Sequence, residues 1–208
     1  MLCNLCPRNC MHIRDGTTAC GVGETPRVAR ASLHFGEEPC ISGRRGSGTV
    51  FFSGCSLGCI YCQNKRISLD RYGKEVSISK LRDIYKRLID SGAHNINLVT
   101  GSHFIPAIAR SLDPKPTVPV VFNCSGYERS EALKILEGLV DIYIPDMKYC
   151  DRTVAQNYSN AYNYPDIASA AIEEMYRQTG DCLFDKDGIL LRGLIVRHLI
   201  LPAQVQNS

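Results

Sequence analysis

The sequence predicts an α/β fold, a partial (β/α) barrel with a curved parallel sheet, preceded by a small cysteine-rich metal-binding segment. From residue 49 onward, short β-branched runs alternate with amphipathic helical stretches, the arrangement of successive βαβ units. The 208 residues include eleven cysteines, and seven of these fall into two tight groups. Cysteines clustered in this way are typical of metal ligands rather than of a disulfide framework.

The composition is that of a globular protein, with 44% hydrophobic and 22% charged residues. A net charge of +3 gives no argument for a nucleic-acid or membrane partner. No apolar run reaches the roughly 18 residues of a spanning helix. Cysteines interrupt the N-terminus where a signal peptide would be apolar, so we expect a cytoplasmic protein. We divide the chain into a cysteine-rich segment, residues 1–47, and a core, residues 48–208.

Residues 1–48 are rich in turn-forming residues and show little periodicity, so we expect a metal or the main domain to order them. The first predicted strand, Thr49–Ser53, is a β-prone run, and Ser77 or Ser79 can cap a following helix that ends near Gly92. The later predicted strands are Asn95–Thr100, Val118–Phe122, Val140–Ile144 and Leu194–Ile200. The later predicted helices are Ile105–Leu112, Ser130–Glu137 and Asp166–Gln178. In such a sheet, ligands bind at the carboxyl ends of the strands.

Cys55, Cys59 and Cys62 follow the first predicted strand with C-x3-C-x2-C spacing. A 4Fe–4S cluster normally takes four thiolates, one per iron, so three would leave one iron without a protein ligand. An open coordination position distinguishes a reactive metal site from a structural one. The spacing alone also permits a zinc knuckle completed by Cys40 or His34, or a redox pair of Cys59 and Cys62.

A second group of cysteines stands at the N-terminus with the spacing C-x2-C-x3-C-x9-C. Its members are Cys3, Cys6, Cys10 and Cys20. Four thiolates close one zinc site or one iron–sulfur site, which indicates a structural or electron-relay role. A zinc ion would order this coreless segment, a second 4Fe–4S cluster is the close alternative, and free thiols are the remaining one.

Two acidic residues, Glu37 and Glu38, precede the first predicted strand near His34 and Cys40. Carboxylates beside a histidine could contact a substrate or position the N-terminal segment. Acidic side chains in a turn-rich stretch are more often solvated, so we predict ordinary surface acids here.

The three cysteines, with Tyr61 before the last of them, resemble those of the radical S-adenosylmethionine (SAM) superfamily. The likeness extends over about residues 30 to 202. Four further motifs resemble the pyruvate formate-lyase-activating enzyme group: Gly48–Cys55, Cys62–Asn64, Asp146–Lys148 and Arg197–Pro202. Uncharacterised relatives of that group share the N-terminal L-C-P-R-x-C segment and the phrase G-E-E-P-x-I-S-G.

The resemblance implies that the triplet holds a 4Fe–4S cluster and that SAM binds its open iron. One electron from a donor of flavodoxin or ferredoxin type would then cleave SAM to methionine and a 5′-deoxyadenosyl radical. The group implies activation of a glycyl radical enzyme by removal of a glycine α-hydrogen. The alternatives are a radical enzyme acting on a peptide, a nucleoside or a metabolite, and a non-catalytic zinc-binding module.

The resemblance also implies which residues hold the cofactor. Asp146 and Lys148 match an Asp-x-Lys motif at the methionyl end, and Arg197 with His198 matches an Arg-aromatic pair facing the barrel interior. The Gly-Gly-Glu motif of the family is absent, and Thr100 or His103 would substitute for it. The full set implied at the cofactor is Tyr61, Thr100, Asn123, Ser125, Asp146, Lys148 and His198.

The number of predicted strands departs from the resemblance. Five strands are predicted, whereas the activating-enzyme fold has six, so one edge of the sheet would stay open. Because an open strand edge can pair with a second chain, a homodimer is a plausible assembly.

Overall fold

The computed structural model of the protein describes residues 3–202, except residues 12, 15 and 17. The ends of the two predicted ranges, residues 1–2 and 203–208, lie outside the described residues. The strands are β1 (Arg27–His34), β2 (Ser47–Phe52), β3 (Lys74–Glu75), β4 (Ile96–Val99), β5 (Val120–Cys124), β6 (Ile142–Met147), β7 (Leu183–Phe184), β8 (Leu190–Leu194) and β9 (Arg197–His198). The α-helices are α1 (Pro39–Ser42), α2 (Lys65–Ser68), α3 (Ile78–Asp90), α4 (Ile105–Ser111), α5 (Ser130–Leu133), α6 (Arg152–Ser159) and α7 (Tyr164–Thr179).

All the strands belong to one mixed sheet with the order β3-β1-β2-β4-β5-β6-β8-β7, and β9 continues alongside β6. The central strands β2, β4, β5, β6 and β8 are parallel, as the alternating pattern predicts. The prediction of a purely parallel sheet was wrong, because β1 runs antiparallel to β2 and β7 antiparallel to β8. The edges are the two-residue strands β3 and β7, and a homodimer stays a prediction.

Strand β1, before residue 49, was not predicted, and it pairs with β2 of the main domain along the length of both strands. The connection between them contains the short helix α1, whose Ile41 is fully buried. Ile41 packs with Val121, Ile142 and Ile144 against the inner face of the parallel strands. Helices α3, α4, α5 and α7 cover the opposite face. The division of the chain at residue 47 stays a prediction.

Local signals account for several element boundaries. Ser77 caps α3, because its Oγ accepts the Lys80 N–H at 3.1 Å, as predicted. Helix α7 begins two residues earlier than predicted, with Pro165 in its first turn, where no N–H is needed. The predicted helix Ser130–Glu137 divides into α5 and a 3₁₀ turn, Lys134–Leu136.

The predicted fifth strand, Leu194–Ile200, was wrong as one element, since β8 ends at Leu194 and β9 begins at Arg197. Both pieces pair with β6 in one register, with Leu194 opposite Tyr143 and Arg197 opposite Asp146. Between these pairs β6 contains Pro145, which has no N–H to donate to the ladder. Helix α6 was not predicted, because its sequence R-T-V-A-Q-N-Y-S is poor in strong helix formers.

None of the helices in the described part of the chain is long and apolar enough to cross a membrane.

Candidate active site

A cavity of about 550 Å³ opens at the carboxyl ends of the parallel strands. Its volume falls within the range of about 300–1,000 Å³ that is common for small-molecule sites. The structure brings together on its wall the three triplet cysteines and all seven residues implied at the cofactor. These are Cys55, Cys59, Tyr61, Cys62, Thr100, Asn123, Ser125, Asp146, Lys148 and His198. They converge because parallel strands end at the same edge of a sheet.

The triplet lies in the loop that follows β2. Gly54 makes the turn into it with a φ of +87°, and a side chain there would place its Cβ 2.7 Å from the Cys20 carbonyl oxygen. Cys59 is buried, whereas Cys55 and Cys62 are half-buried at the cavity. The loop therefore presents three thiols to one space from a backbone that a non-glycine residue at position 54 would distort.

Each sulfur of the triplet has a hydrogen-bonding group beside it. The Leu57 N–H donates to Cys55 Sγ at 3.4 Å. Ser159 Oγ donates to Cys59 Sγ at 3.0 Å, and Ser68 Oγ lies 3.2 Å from Cys62 Sγ. Hydrogen bonds of this kind stabilise a thiolate and orient it as a ligand.

A network of charges forms the opposite wall. Arg197 Nε lies 3.1 Å from Asp146 Oδ1, and Lys148 Nζ lies 2.5 Å from the other oxygen of that carboxylate. Burial opposes protonation of Lys148, but the Asp146 carboxylate raises the pKa of Lys148 above its usual value. Lys148 therefore keeps its positive charge beside the cavity.

Arg197 also contacts Asn123 on β5 and Glu37 in the connection between β1 and α1. Its guanidinium donates to Asn123 Oδ1 at 2.6 Å and lies 3.5 Å from Glu37 Oε2. Asn123 Nδ2 donates to the same Glu37 oxygen at 3.4 Å. The side chain of Glu37 is only 9% exposed, and burial raises its pKa although Arg197 opposes the shift. The expectation of an ordinary surface acid was therefore wrong for Glu37.

The chain is similar to known proteins in two respects. Residues 49–173 match the family model of the Radical SAM superfamily, which is more than half of the chain. The chain belongs to the radical SAM superfamily. It is also 28% identical over 211 aligned residues to an uncharacterised protein of Methanocaldococcus jannaschii, covering 96% of this chain and 57% of the relative. The chain thus spans less than two thirds of the length of the curated relative that it matches.

Membership of the radical SAM superfamily implies a 4Fe–4S cluster and SAM, and the residues present fit both groups. The donors on all three sulfurs suit thiolate ligands, and the charges at Asp146, Lys148 and Arg197 suit an amino acid group. No three or more Cys, His, Asp or Glu side chains in the described part of the chain approach closely enough for a single metal ion. The thiolates of a cluster each bind a different iron instead.

Two histidines implied by the radical SAM resemblance differ in placement. His103 is buried, and its Nε2 donates to the Ser53 carbonyl oxygen at 2.8 Å. Burial lowers the pKa of His103 to about 4, so it is a neutral histidine that supports the backbone beside the triplet loop. His198 lies on the cavity wall, exposed, with its Nδ1 2.6 Å from the Met147 carbonyl oxygen.

Sequence reasoning missed Glu128, a buried carboxylate behind the cavity of this radical SAM protein. Ser102 Oγ donates to its Oε1 at 2.6 Å, and the cavity residue Ser125 lies 3.4 Å from the same oxygen. Burial raises the pKa of Glu128 to about 7. The signal that could have found it is its position three residues after Ser125, where the third parallel strand has just ended.

The N-terminal segment docks on the triplet loop through Arg8. Its guanidinium donates to the carbonyl oxygens of Ser56 at 2.8 Å, Leu57 at 3.0 Å and Ser159 at 2.8 Å, and to that of Asn160. The last two carbonyls belong to the C-terminal end of α6, where a cation is favoured. Arg8 thus ties the triplet loop to α6.

The four N-terminal cysteines lie near one another in this segment. Cys3, Cys6 and Cys20 are buried and Cys10 is half-buried. Burial raises the pKa of Cys6 to about 11, and the neighbouring thiols of Cys20, Cys10 and Cys3 add to the shift. The predicted zinc ion or second cluster is not shown, since among the described residues these thiols do not lie close enough together to share one metal ion.

Proposed function

We propose that this radical SAM protein holds a 4Fe–4S cluster on Cys55, Cys59 and Cys62 and reductively cleaves SAM. The observation that carries the proposal is the shared cavity, in which three thiols of one loop face the charged ends of neighbouring strands. The cluster would supply reductive cleavage of SAM, with one electron from a flavodoxin- or ferredoxin-type donor, to methionine and a 5′-deoxyadenosyl radical for abstraction of a substrate hydrogen.

Asp146, Lys148 and Arg197 would bind the amino acid end of SAM. Lys148 is a cation for the carboxylate, and Asp146 is an anion for the ammonium. Arg197 holds Asp146 in place from the far side, at 3.1 Å. The present ion pairs keep these charges preorganised at the cavity wall, which limits the reorganisation needed on binding.

Thr100, Asn123 and Ser125 would contact the rest of the cofactor through hydrogen bonds. All three stand at or just after the ends of β4 and β5 and line the cavity. The ring of Tyr61, in the triplet loop, and the exposed His198, in β9, also line the cavity. These groups would contact the adenosyl moiety of SAM.

The N-terminal cysteines would form a second metal site: an iron–sulfur cluster, in which each thiolate binds its own iron, or a zinc ion, for which the four thiols would have to move closer together than they lie here. The support is that Cys20 and Cys55 line the same smaller cavity, of about 310 Å³, together with Arg8. A second cluster at that position would stand beside the first and could relay electrons to it. Iron and zinc analysis of the purified protein, compared with a Cys6→Ser variant, separates the two metals from each other and from free thiols.

The proposed substrate is a glycine residue of a partner glycyl radical enzyme. The support is the resemblance of the Gly48–Cys55, Asp146–Lys148 and Arg197–Pro202 motifs to the activating-enzyme group. The second candidate, a peptide, nucleoside or metabolite substrate, gains support from Glu37, a half-buried carboxylate that lies 3.5 Å from Arg197 and 3.4 Å from Asn123, both of which line the cavity. A glycyl radical signal in a partner enzyme mixed with the reduced protein and SAM separates the two.

The test of the proposed chemistry is anaerobic reconstitution with iron and sulfide, followed by an assay for 5′-deoxyadenosine. We expect the product from the wild type and from Cys150→Ala, a matched control at an exposed cysteine outside the cavity. Cys59→Ala should lose the product and the part of the iron–sulfur absorption that comes from the triplet cluster. A loaded wild type that forms no 5′-deoxyadenosine would contradict the proposal, and a colourless zinc protein would support the non-catalytic module.

A further inference from the structure

A chain of hydrogen bonds leads through the protein to the sulfur of Cys59. Tyr61 Oη lies 2.5 Å from Tyr149 Oη, and Tyr149 Oη lies 2.6 Å from Ser159 Oγ. Ser159 Oγ in turn donates to Cys59 Sγ at 3.0 Å. The donors beside Cys55 are backbone N–H groups and the group beside Cys62 is the Ser68 hydroxyl, so among the described residues a chain of several hydroxyls leads to Cys59 alone of the three.

The direction of the chain follows from what each atom can do. A metal-bound Cys59 is a thiolate, which accepts and cannot donate, so the Ser159 hydroxyl must point at the sulfur. The oxygen of Ser159 then accepts from Tyr149, and the oxygen of Tyr149 accepts from Tyr61. Hydrogen bonds that point the same way polarise one another, so the two tyrosines strengthen the donor at the sulfur.

The surrounding structure holds the donor and the acceptor together from two sides. Arg8 bonds the carbonyl oxygen of Ser159 and those of Ser56 and Leu57 with one guanidinium. The Ile60 N–H, next to Cys59, donates to the Tyr158 carbonyl oxygen at 2.9 Å. The loop with the sulfur and the helix with the hydroxyl are therefore tied to each other at both neighbouring positions.

The end of the hydrogen-bond chain nearest the sulfur is buried away from solvent. Cys59 and Tyr149 belong to a small core formed with Leu57, Tyr164 and other apolar residues. Ser159 is 2% exposed and Tyr149 is 1% exposed. In such surroundings a hydrogen bond is electrostatically stronger than in water, and water cannot replace it when it is removed.

We propose that Ser159, backed by Tyr149 and Tyr61, is a positioning residue that raises the reduction potential of the cluster through Cys59. The inference rests on the proposed function, because it needs the cluster on the triplet. A reduced cluster carries one more negative charge than an oxidised one, so a donor at the ligand sulfur stabilises the reduced form more. The chain would thus ease the electron transfer that precedes cleavage of SAM.

The test is an EPR-monitored redox titration of the anaerobically loaded protein without SAM. Ser159→Ala should shift the midpoint potential of the cluster to more negative values, and Tyr149→Phe should shift it in the same direction by less. Ser159→Thr keeps a hydroxyl and should restore the wild-type potential. Tyr158→Phe is the matched control, because its ring packs on Tyr61 but its hydroxyl makes no hydrogen bond among the described residues.

The outcomes separate this inference from the proposed function. A wild type that takes up no cluster on the triplet overturns the proposed function and this inference with it. If the wild type takes up the cluster and both Ser159→Ala and Tyr149→Phe have its midpoint potential, the inference alone is overturned. If Ser159→Ala fails to load, Tyr149→Phe, which keeps the packing of the ring, decides between the two outcomes.

Discussion

Removal of Arg197 tests the charge network that the structure places between the cavity and the interior of the sheet. Arg197→Gln leaves the carboxylates of Glu37 and Asp146 without their shared cation, and these side chains are 9% and 20% exposed. Glu37→Gln is milder, because it removes a charge but keeps an acceptor for Asn123, and Arg197 stays paired with Asp146. The double variant lacks both Arg197 and the Glu37 carboxylate, so no unpaired charge stays buried at position 37.

The expected magnitudes follow from burial. Removing one partner of a buried ion pair destabilises a protein by about 3–5 kcal/mol, because the other charge stays behind without compensation. Arg197 is 33% exposed, so solvent screens part of this loss. We expect the free energy of unfolding to fall by about 2–3 kcal/mol in Arg197→Gln and by about 1 kcal/mol in Glu37→Gln. The double variant should be more stable than the sum predicts, by about 1–2 kcal/mol.

The assay is urea unfolding of the four proteins under anaerobic conditions, followed by circular dichroism. In Arg197→Gln the largest contribution that opposes the effect of burial on Glu37 is lost, so the pKa of Glu37 rises further. A raised carboxyl pKa gives stability that is full below the ordinary value of 4.5 and is lost as the pH rises. The deficit of Arg197→Gln should therefore grow from pH 4 to pH 7. Additive losses in the double variant, with no dependence on pH, would refute the reasoning.

Two further predictions concern residues around the cavity. Burial raises the pKa of Glu128 to about 7 from 4.5, so the unfolded chain loses this proton first, and stability that is full below pH 4.5 falls as the pH rises through 7. The free energy of unfolding should fall by about 3 kcal/mol through this loss. In urea unfolding at pH 5 and pH 8, Glu128→Gln should remove this difference in stability between the two pH values. A variant that keeps the same difference as the wild type would contradict the assignment. Arg8→Ala leaves four backbone carbonyls without their donor and should lower the thermal midpoint by about 4–12 °C, for a loss of about 2–3 kcal/mol. Arg44→Ala, at an exposed arginine, is its control and should melt with the wild type, and equal midpoints for the two variants would count against the docking role of Arg8.

The alternating part of the fold could be predicted because its signals are local. The strands of the parallel centre are short apolar runs, and α3 carries its own cap at Ser77. The antiparallel additions could not be predicted in the same way. Strand β1 has the sequence R-V-A-R-A-S-L-H, with mostly half-buried residues, and exists through pairing with β2. Helix α6 depends on the cap at Asp151 and on packing below the triplet loop.

The cavity wall could be predicted because strand ends converge in any parallel sheet. The triplet, Asp146 and Lys148 are adjacent to predicted strands, so their meeting required only the order of the strands. The burial of Glu37 and of Glu128 beside the site was not predicted, because each lies in a connection whose path no local pattern specifies. A carboxylate in a turn-rich stretch looks solvated until the chain that covers it is known.

The sequence by itself determined the chemistry on offer: a cysteine triplet after a strand, an Asp-x-Lys pair, and a parallel βαβ pattern that brings them to one edge. These are short-range features, since spacing and periodicity depend on neighbours along the chain. Only the tertiary structure decided that Ser159 donates to Cys59, that Arg8 joins the N-terminal segment to the triplet loop, and that Glu37 is buried against Arg197. Those contacts join residues between 48 and 160 positions apart, as with Arg8 and Ser56 or Glu37 and Arg197. Their energies come from burial and geometry, which the packed chain alone defines.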